Sequence, residues 1–215
     1  MTGLQISRAA LSPASATVVA MSVDVRPATA DRWDAIAALF GRRRGGASSC
    51  WCQVFVGAAA AASDKRDALQ EEITHALVAP GLIAYVDDHP VGWTRVGPRS
   101  TLPGVLGNLA LARLLADDDG AWWVTCFKVD SRHRRTGVGA ALLRGAVEHA
   151  REHGAKAVEG HPVDVASLKA ARVSGSAIYT GTVAMFTAAG FTEVARTYPT
   201  RPVMRLELGH PDHKH

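Results

Sequence analysis

The spacing of apolar residues changes period several times along this chain, and each change marks an element. Ala121-Trp122-Trp123-Val124-Thr125-Cys126-Phe127-Lys128-Val129 is β-branched, aromatic and mostly apolar on both faces, which predicts a central strand. After a short basic loop the period becomes helical. Val138, Ala141, Leu142 and Ala146 make a stripe that Leu143, Val147 and Ala150 widen, with Arg144, Glu148, Arg151 and Glu152 mainly opposite. Gly154 supplies a helix stop, and residues 155–160 read as the next strand.

Elsewhere the pattern is shorter in range. Between Asp31 and Phe40, the residues Trp33, Ile36, Ala37 and Phe40 fall at helical spacing. Ser63 is a cap candidate for a second helix reaching Leu77, with Leu69, Ile73 and Leu77 on one stripe and Pro80-Gly81 beyond it. Residues 82–86 and 91–96, joined by Asp87-Asp88-His89-Pro90, predict a hairpin. Val105 to Leu115 reads as one helix ending in the acidic turn Asp117-Asp118-Asp119-Gly120, and Arg201 to Leu208 as the last strand. The acidic turn is expected to be solvated, with attraction of a cationic acceptor as the alternative.

The chemistry concentrates between the central strand and its helix, in Val129-Asp130-Ser131-Arg132-His133-Arg134-Arg135-Thr136-Gly137-Val138-Gly139. A strand running through a basic, glycine-bearing loop into a helix aims several backbone N–H groups and a positive helix end at one point. Such a point suits a phosphate or diphosphate. No G-x-x-x-x-G-K-[ST] run exists, which excludes a P-loop. A dinucleotide fingerprint would use Gly137 and Gly139, with Glu159 near the ribose-binding spacing. However, Leu142 stands at its third glycine, and the loop is longer and more basic than such a turn.

The third reading fits best. Arg134-x-x-Gly137-x-Gly139, with Val129 five positions before Arg134, resembles the [R/Q]-x-x-G-x-[G/A] signature of the GNAT acyltransferase superfamily. Ala184-Met185-Phe186-Thr187-Ala188-Ala189-Gly190-Phe191 resembles its late helix ending in "aGF", and Val23 to Thr29 its first strand. A subset of bacterial members is similar in carrying an early Cys-Trp-Cys segment, here Cys50-Trp51-Cys52, and a late stretch like Ser174 to Phe186. The likeness spans Ser22 to Leu208. It implies an α/β GNAT fold: a mixed, mostly antiparallel central sheet splayed around the cofactor, with helices on both faces. The expected organisation is a flexible extension over residues 1–20, the transferase domain over 21–208 and a tail over 209–215.

That family membership would imply acetyl-CoA as cofactor and an amine acceptor, either a small molecule or a protein lysine, attacking directly in a ternary complex. The diphosphate would sit on the N–H groups of Arg135, Thr136, Gly137, Val138, Gly139 and Ala140, beside Arg134. The pantetheine arm would run along Phe127, Lys128 and Val129 like an added strand. The usual acid and base are missing: Phe186 stands where many members place a tyrosine, and Trp123 where some place a glutamate. Tyr179 is the candidate acid, and Glu159 and His161 are candidate bases. A non-catalytic CoA-binding or regulatory module is the rival reading.

Composition narrows the setting. At 215 residues and 47% hydrophobic, the chain can bury one sizeable core. No apolar run approaches the ~20 residues of a membrane helix, and the first twenty residues are a weak secretory signal broken by Ser12, Pro13, Ser15 and Thr17. Three cysteines do not suggest a disulfide framework, so a cytoplasmic location is expected. The C-x-C pair alone offers too few ligands for a metal, so none is expected, and Trp51 is expected to pack over the acceptor cleft. A net charge of +4 and a pI near 9.2 suit an anionic partner. The cofactor loop accounts for one basic cluster and solvent for Arg42-Arg43-Arg44, so neither nucleic acid nor membrane is expected as a partner. A homodimer stays open.

Overall fold

The computed structural model describes residues 22–41, 51, 55–56, 65–170 and 175–209. The expected N-terminal extension, the Ser63 cap, the Arg42-Arg43-Arg44 cluster, Cys50 and Cys52 fall outside them, as does the tail beyond Gly209.

Seven strands make one sheet: β1 (Asp24–Pro27), β2 (Gly81–Val86), β3 (His89–Pro98), β4 (Ala121–Val129), β5 (Ala157–Gly160), β6 (Thr192–Tyr198) and β7 (Arg201–Glu207). Their order is β1-β2-β3-β4-β5-β7-β6. Every neighbouring pair is antiparallel except β4–β5. Helices α1 (Trp33–Gly41) and α2 (Lys65–His75) cover one face, and α5 (Val138–Glu152) covers the other. The expected mixed, mostly antiparallel sheet with helices on both faces is what the chain forms.

Period-two alternation explains the layers. On β2, Leu82, Ala84 and Val86 pack with Val138, Leu142, Leu143 and Ala146 of α5, while Ile83 and Tyr85 pack with Ile36, Phe40, Leu69 and Ile73. The α5 stripe read from the sequence is buried as expected, including Ala141, Val147 and Ala150. The helix lies very close to the sheet edge: a Cβ at Gly145 would fall 2.6 Å from Val25 Cγ1.

One irregularity in β4 shapes the molecule. Arg95 opposes Cys126 and Val96 opposes Val124, so Thr125 is an extra residue, a β-bulge. Side-chain alternation shifts there. Trp122 and Val124 face α5 before the bulge, and Phe127 and Val129 do so after it. The β4–β5 ladder also ends here, at Val124↔Gly160, and Pro162 follows soon after with no N–H to extend it. Beyond Thr125, β4 therefore presents an edge that β5 does not cover.

Several sequence expectations need correction. Val105 to Leu115 is not one helix. It splits into α3 (Pro103–Leu106) and α4 (Leu109–Ala112), because Gly107 ends the first and Asn108 caps the second, accepting from Ala110 and Leu111 N–H at 3.0 and 3.2 Å. Leu77 lies beyond the end of α2 and is exposed. The edge strand β6 and the short helices α6 (Val165–Ala170) and α7 (Val183–Ala188) complete the chain, and of these only α7 is legible as an element. Among the described residues no helix is long and apolar enough to cross a membrane.

Between β5, β7 and the acidic turn lies a buried charge network. Glu159 accepts from Arg99 at 2.7 Å and from Arg205 at 2.8 Å, and Arg205 also reaches Asp118 at 2.7 Å. The Arg205 hydrogen bond holds the Asp118 carboxyl below its ordinary range, so Asp118 anchors the turn while Asp117 and Asp119 are solvated as expected. Glu159→Ala should leave the buried Arg99 guanidinium without a carboxylate, while Arg205 keeps Asp118 and Glu207, and destabilise the fold by about 3–5 kcal/mol. Thermal melting should show a fall of about 10 °C at ~2–4 °C per kcal/mol for a chain of this size. An unchanged melting temperature would show that the network contributes no stability.

Candidate functional site

The uncovered edge of β4 and the start of α5 border one cavity of about 960 Å³. Phe127, Lys128 and Val129 form its strand wall, and residues 130–135 its loop wall. Gly139 lines it from α5, Thr182 and Met185 from the start of α7, and Ile178 and Tyr179 from the 3-10 turn Gly175–Thr180. Thus Phe127, Lys128, Val129, Arg134, Arg135, Gly139 and Tyr179, singled out in the sequence, meet at one place. Thr136 and Gly137 lead into α5, and Val138 and Ala140 lie in its first turn; none of these four is on the cavity wall. Leu39, Ser131, His133, Thr182 and Met185 also line the cavity and were not singled out. Only chain pairing in three dimensions brings the first and the last two of these to the loop.

Local chemistry shapes the loop. The Asp130 N–H donates to Val91 O at 2.8 Å, and its carboxylate accepts from the Arg132 N–H at 3.0 Å, starting the 3-10 turn Ser131–His133. Thr136 Oγ1 then donates to His133 O at 2.7 Å. Arg135 and Gly137 are left-handed, with φ of 64° and 91°, which turns the chain sharply into α5. The first helical bond runs from the Ala141 N–H to Gly137 O at 2.9 Å. The N–H groups of Val138, Gly139 and Ala140 precede it and have no intrahelical acceptor.

Charge at the cavity is one-sided. Among the described residues, Lys128, Arg132, Arg134 and Arg135 line it against the single carboxylate of Asp130, which Arg132 already binds at 3.2 Å. His133 Nδ1 is buried without a hydrogen-bond partner on the same wall. Free helix N–H groups, four cationic side chains and an orphaned ring nitrogen suit a multiply charged anion.

The candidate proton-transfer groups separate clearly. Tyr179 is 39% exposed and lines the cavity. Its turn is held by Arg201, which donates to Thr180 Oγ1 at 2.7 Å and to His161 O at 3.2 Å. Burial lowers the Arg201 pKa, and the nearby Tyr179 opposes that shift. Phe186 is fully buried, edge-on to Phe127 and Phe191, and Trp123 is fully buried among Leu102, Val105 and Leu111. Neither side chain has a proton to exchange with an acyl group.

Both candidate bases are corrected. Glu159 is committed to two arginines and is not on the cavity wall. His161 is also off that wall, with Nε2 at 2.7 Å from Thr197 Oγ1 and 3.2 Å from Arg201 O. Burial, reinforced by Arg201, pushes its pKa down to about 4, too low for a base working near neutrality.

The cysteine reading changes too. Cys126 is disulfide-bonded, against the expectation of no disulfide framework. Trp51 stacks on Phe40 at 5.0 Å and packs in the same cluster as Cys126, so Trp51 and the central strand, far apart in sequence, share one face of the sheet.

The model of the acetyltransferase (GNAT) family matches residues 48–173, a span that includes the whole basic loop and ends before Tyr179. Solved structures give the same architecture. The GNAT domain of S. lividans PAT is 18% identical, with 86% of this chain and 89% of that one covered and a TM-score of 0.52. YncA of Salmonella typhimurium, solved with its cofactor acetyl-CoA, is 17% identical over 90% and 96% of the two chains, also at 0.52. A GNAT-family protein of Desulfovibrio desulfuricans is 15% identical over 87% and 100%, at 0.51. At these identities the likeness is one of fold. No curated protein matches the sequence.

The half-buried imidazole of His161 gives the fold a pH dependence. Between about pH 6.5 and about pH 4 the unfolded chain protonates His161 while the folded chain refuses the proton. Acidification across that window therefore favours unfolding, by about 3 kcal/mol in full. His149, also lowered by burial, acts in the same direction. In urea titrations at pH 7 and pH 4.5, His161→Gln should lose less stability on acidification than the parent chain. Equal losses would contradict the half-buried neutral histidine.

Proposed function

The chain belongs to the GNAT acetyltransferase family, and from that premise we propose that it moves the acetyl group of acetyl-CoA to an amine, on a small molecule or a protein lysine. One observation carries the reading: a helix N-terminus, a basic loop and an uncovered strand edge border the same cavity. Acetyl-CoA supplies an activated thioester. Arg135, Thr136, Gly137, Val138, Gly139 and Ala140 offer N–H groups to its diphosphate, and Arg134 adds charge. Phe127, Lys128 and Val129 offer backbone groups to the pantetheine arm, and one N–H on this segment stabilises negative charge developing at the carbonyl oxygen.

Proton handling falls to few groups. Tyr179 is the phenol on the cavity wall and holds the proton that a departing thiolate needs. An alkylamine with pKa ~10.4 arrives mostly as ammonium. With Glu159 and His161 engaged elsewhere, water relays its proton away. That same withdrawal of Glu159 and His161 favours one second reading, a CoA-binding module without catalysis.

Thiol release from acetyl-CoA across a panel of small amines and lysine peptides separates the two. Release with any acceptor supports the transferase; tight CoA binding with no release supports the module; no CoA binding defeats both. Tyr179→Phe should lower kcat on the order of 10²-fold with CoA affinity unchanged. Unaltered turnover would remove the tyrosine from the mechanism. A Cβ at Gly137 would meet no atom within 4 Å, but φ of 91° gives Gly137→Glu a strain of about 1–2 kcal/mol. It should abolish CoA binding in calorimetry while the protein still folds, because it adds a negative charge at the N-cap of α5, beside the N–H groups that would hold the diphosphate.

A further inference from the structure

Helix α5 carries a second cluster of chemically active groups at its other end, roughly 15 Å from Gly139 at 1.5 Å per residue. We propose that His149, Glu152 and His153 form a binding site for one divalent transition-metal ion, with zinc as the ion their chemistry fits. Spacing of three and four residues puts them on one helix face, and one ligand atom from each lies within 4.8 Å of the other two. Two imidazoles and a carboxylate suit zinc or its neighbours rather than magnesium or calcium.

The surroundings prepare the two rings. His149 Nε2 is 3.0 Å from Ala79 O, and His153 Nδ1 is 2.7 Å from His149 O. A carbonyl only accepts, so both of these nitrogens carry the proton in the neutral rings, and His149 Nδ1 and His153 Nε2 keep lone pairs for a metal. Carbonyl-backed imidazoles of this kind are the usual outer support of metal-binding histidines. Trp122 packs against both rings, with centroids 5.8 and 5.9 Å away, and the rings lie 4.5 Å from each other.

The helix field also favours a cation. The cluster caps the C-terminal end of α5, where the helix dipole attracts positive charge. Around tetrahedral zinc, ligand atoms sit about 3.4 Å apart for metal–ligand bonds of ~2.1 Å. His149 is buried and His153 is held by its carbonyl bond, whereas Glu152 is exposed and can close that gap by rotating. Water fills the fourth position. None of these residues lines the cavity, so the site is separate from acyl transfer. The sequence expectation of no metal came from counting ligands near the cysteines.

The test is zinc calorimetry and thermal melting on the full-length chain. His210, His213 and His215 are competing ligands, so the parent carries H210Q, H213Q and H215Q. One zinc should bind per chain and raise the melting temperature, EDTA should reverse both effects, and magnesium should produce neither. His153→Gln and Glu152→Gln change exposed side chains. Each should weaken zinc binding by about tenfold or more and cancel the thermal shift, with the metal-free melting temperature unchanged. Failure of the parent to take up zinc at micromolar free metal overturns the assignment. So does zinc binding that is equal in the parent and both variants.

Discussion

The extra residue at Thr125 governs the architecture. A continuous β4–β5 ladder would seal every main-chain group between the two strands and leave no place for a ligand. The bulge shifts the side-chain alternation by one, so Phe127 and Val129 still bury toward α5 as the strand leaves its neighbour. The protein thus exposes an edge in the middle of its sheet without exposing its core. The cavity, the loop that closes it and the turn bearing Tyr179 all take their positions from that divergence.

One apolar cluster runs under α5 from β1 to β7, and the two halves of the sheet differ on the opposite face. On the β1–β4 side, apolar clusters on both faces account for cohesion. Across β5 and β7, buried ion pairs join strands to the acidic turn, and Trp123 packs in a small apolar cluster nearby. Charged groups in that second half are consumed by structure, which is why Glu159 and His161 are poor candidates for chemistry. Basic side chains facing the cavity have no comparable set of carboxylates opposite them.

How much of this was legible in the sequence depended on the range of the interaction. The α5 stripe, the hairpin and β4 were readable because neighbours in sequence create their pattern. The anion-binding turn was readable for the same reason: Gly137, Gly139 and the arginines are local. The single helix expected over Val105 to Leu115 failed because Gly107 and the capping side chain of Asn108 outweighed the apolar pattern. Strand β6 escaped because an exposed edge strand has little periodicity to show. The ion pairs of Glu159, the burial of His161 and the bond at Cys126 depend on partners remote in sequence. No local pattern records those, and the roles assigned to proton carriers were the part most in need of revision.

The fit of α5 against β1 has a further consequence. A Cβ at position 145 would fall 2.6 Å from Val25 Cγ1 and 3.4 Å from Leu82 Cδ1, so the absence of a side chain there is what lets the helix lie this close to the strands. A straight rod transmits tilt along its length. One methyl inserted at position 145, nearly two turns from Gly139, would lever the anion seat out of line with the strand edge, so a residue that never touches a ligand sets the grip on it.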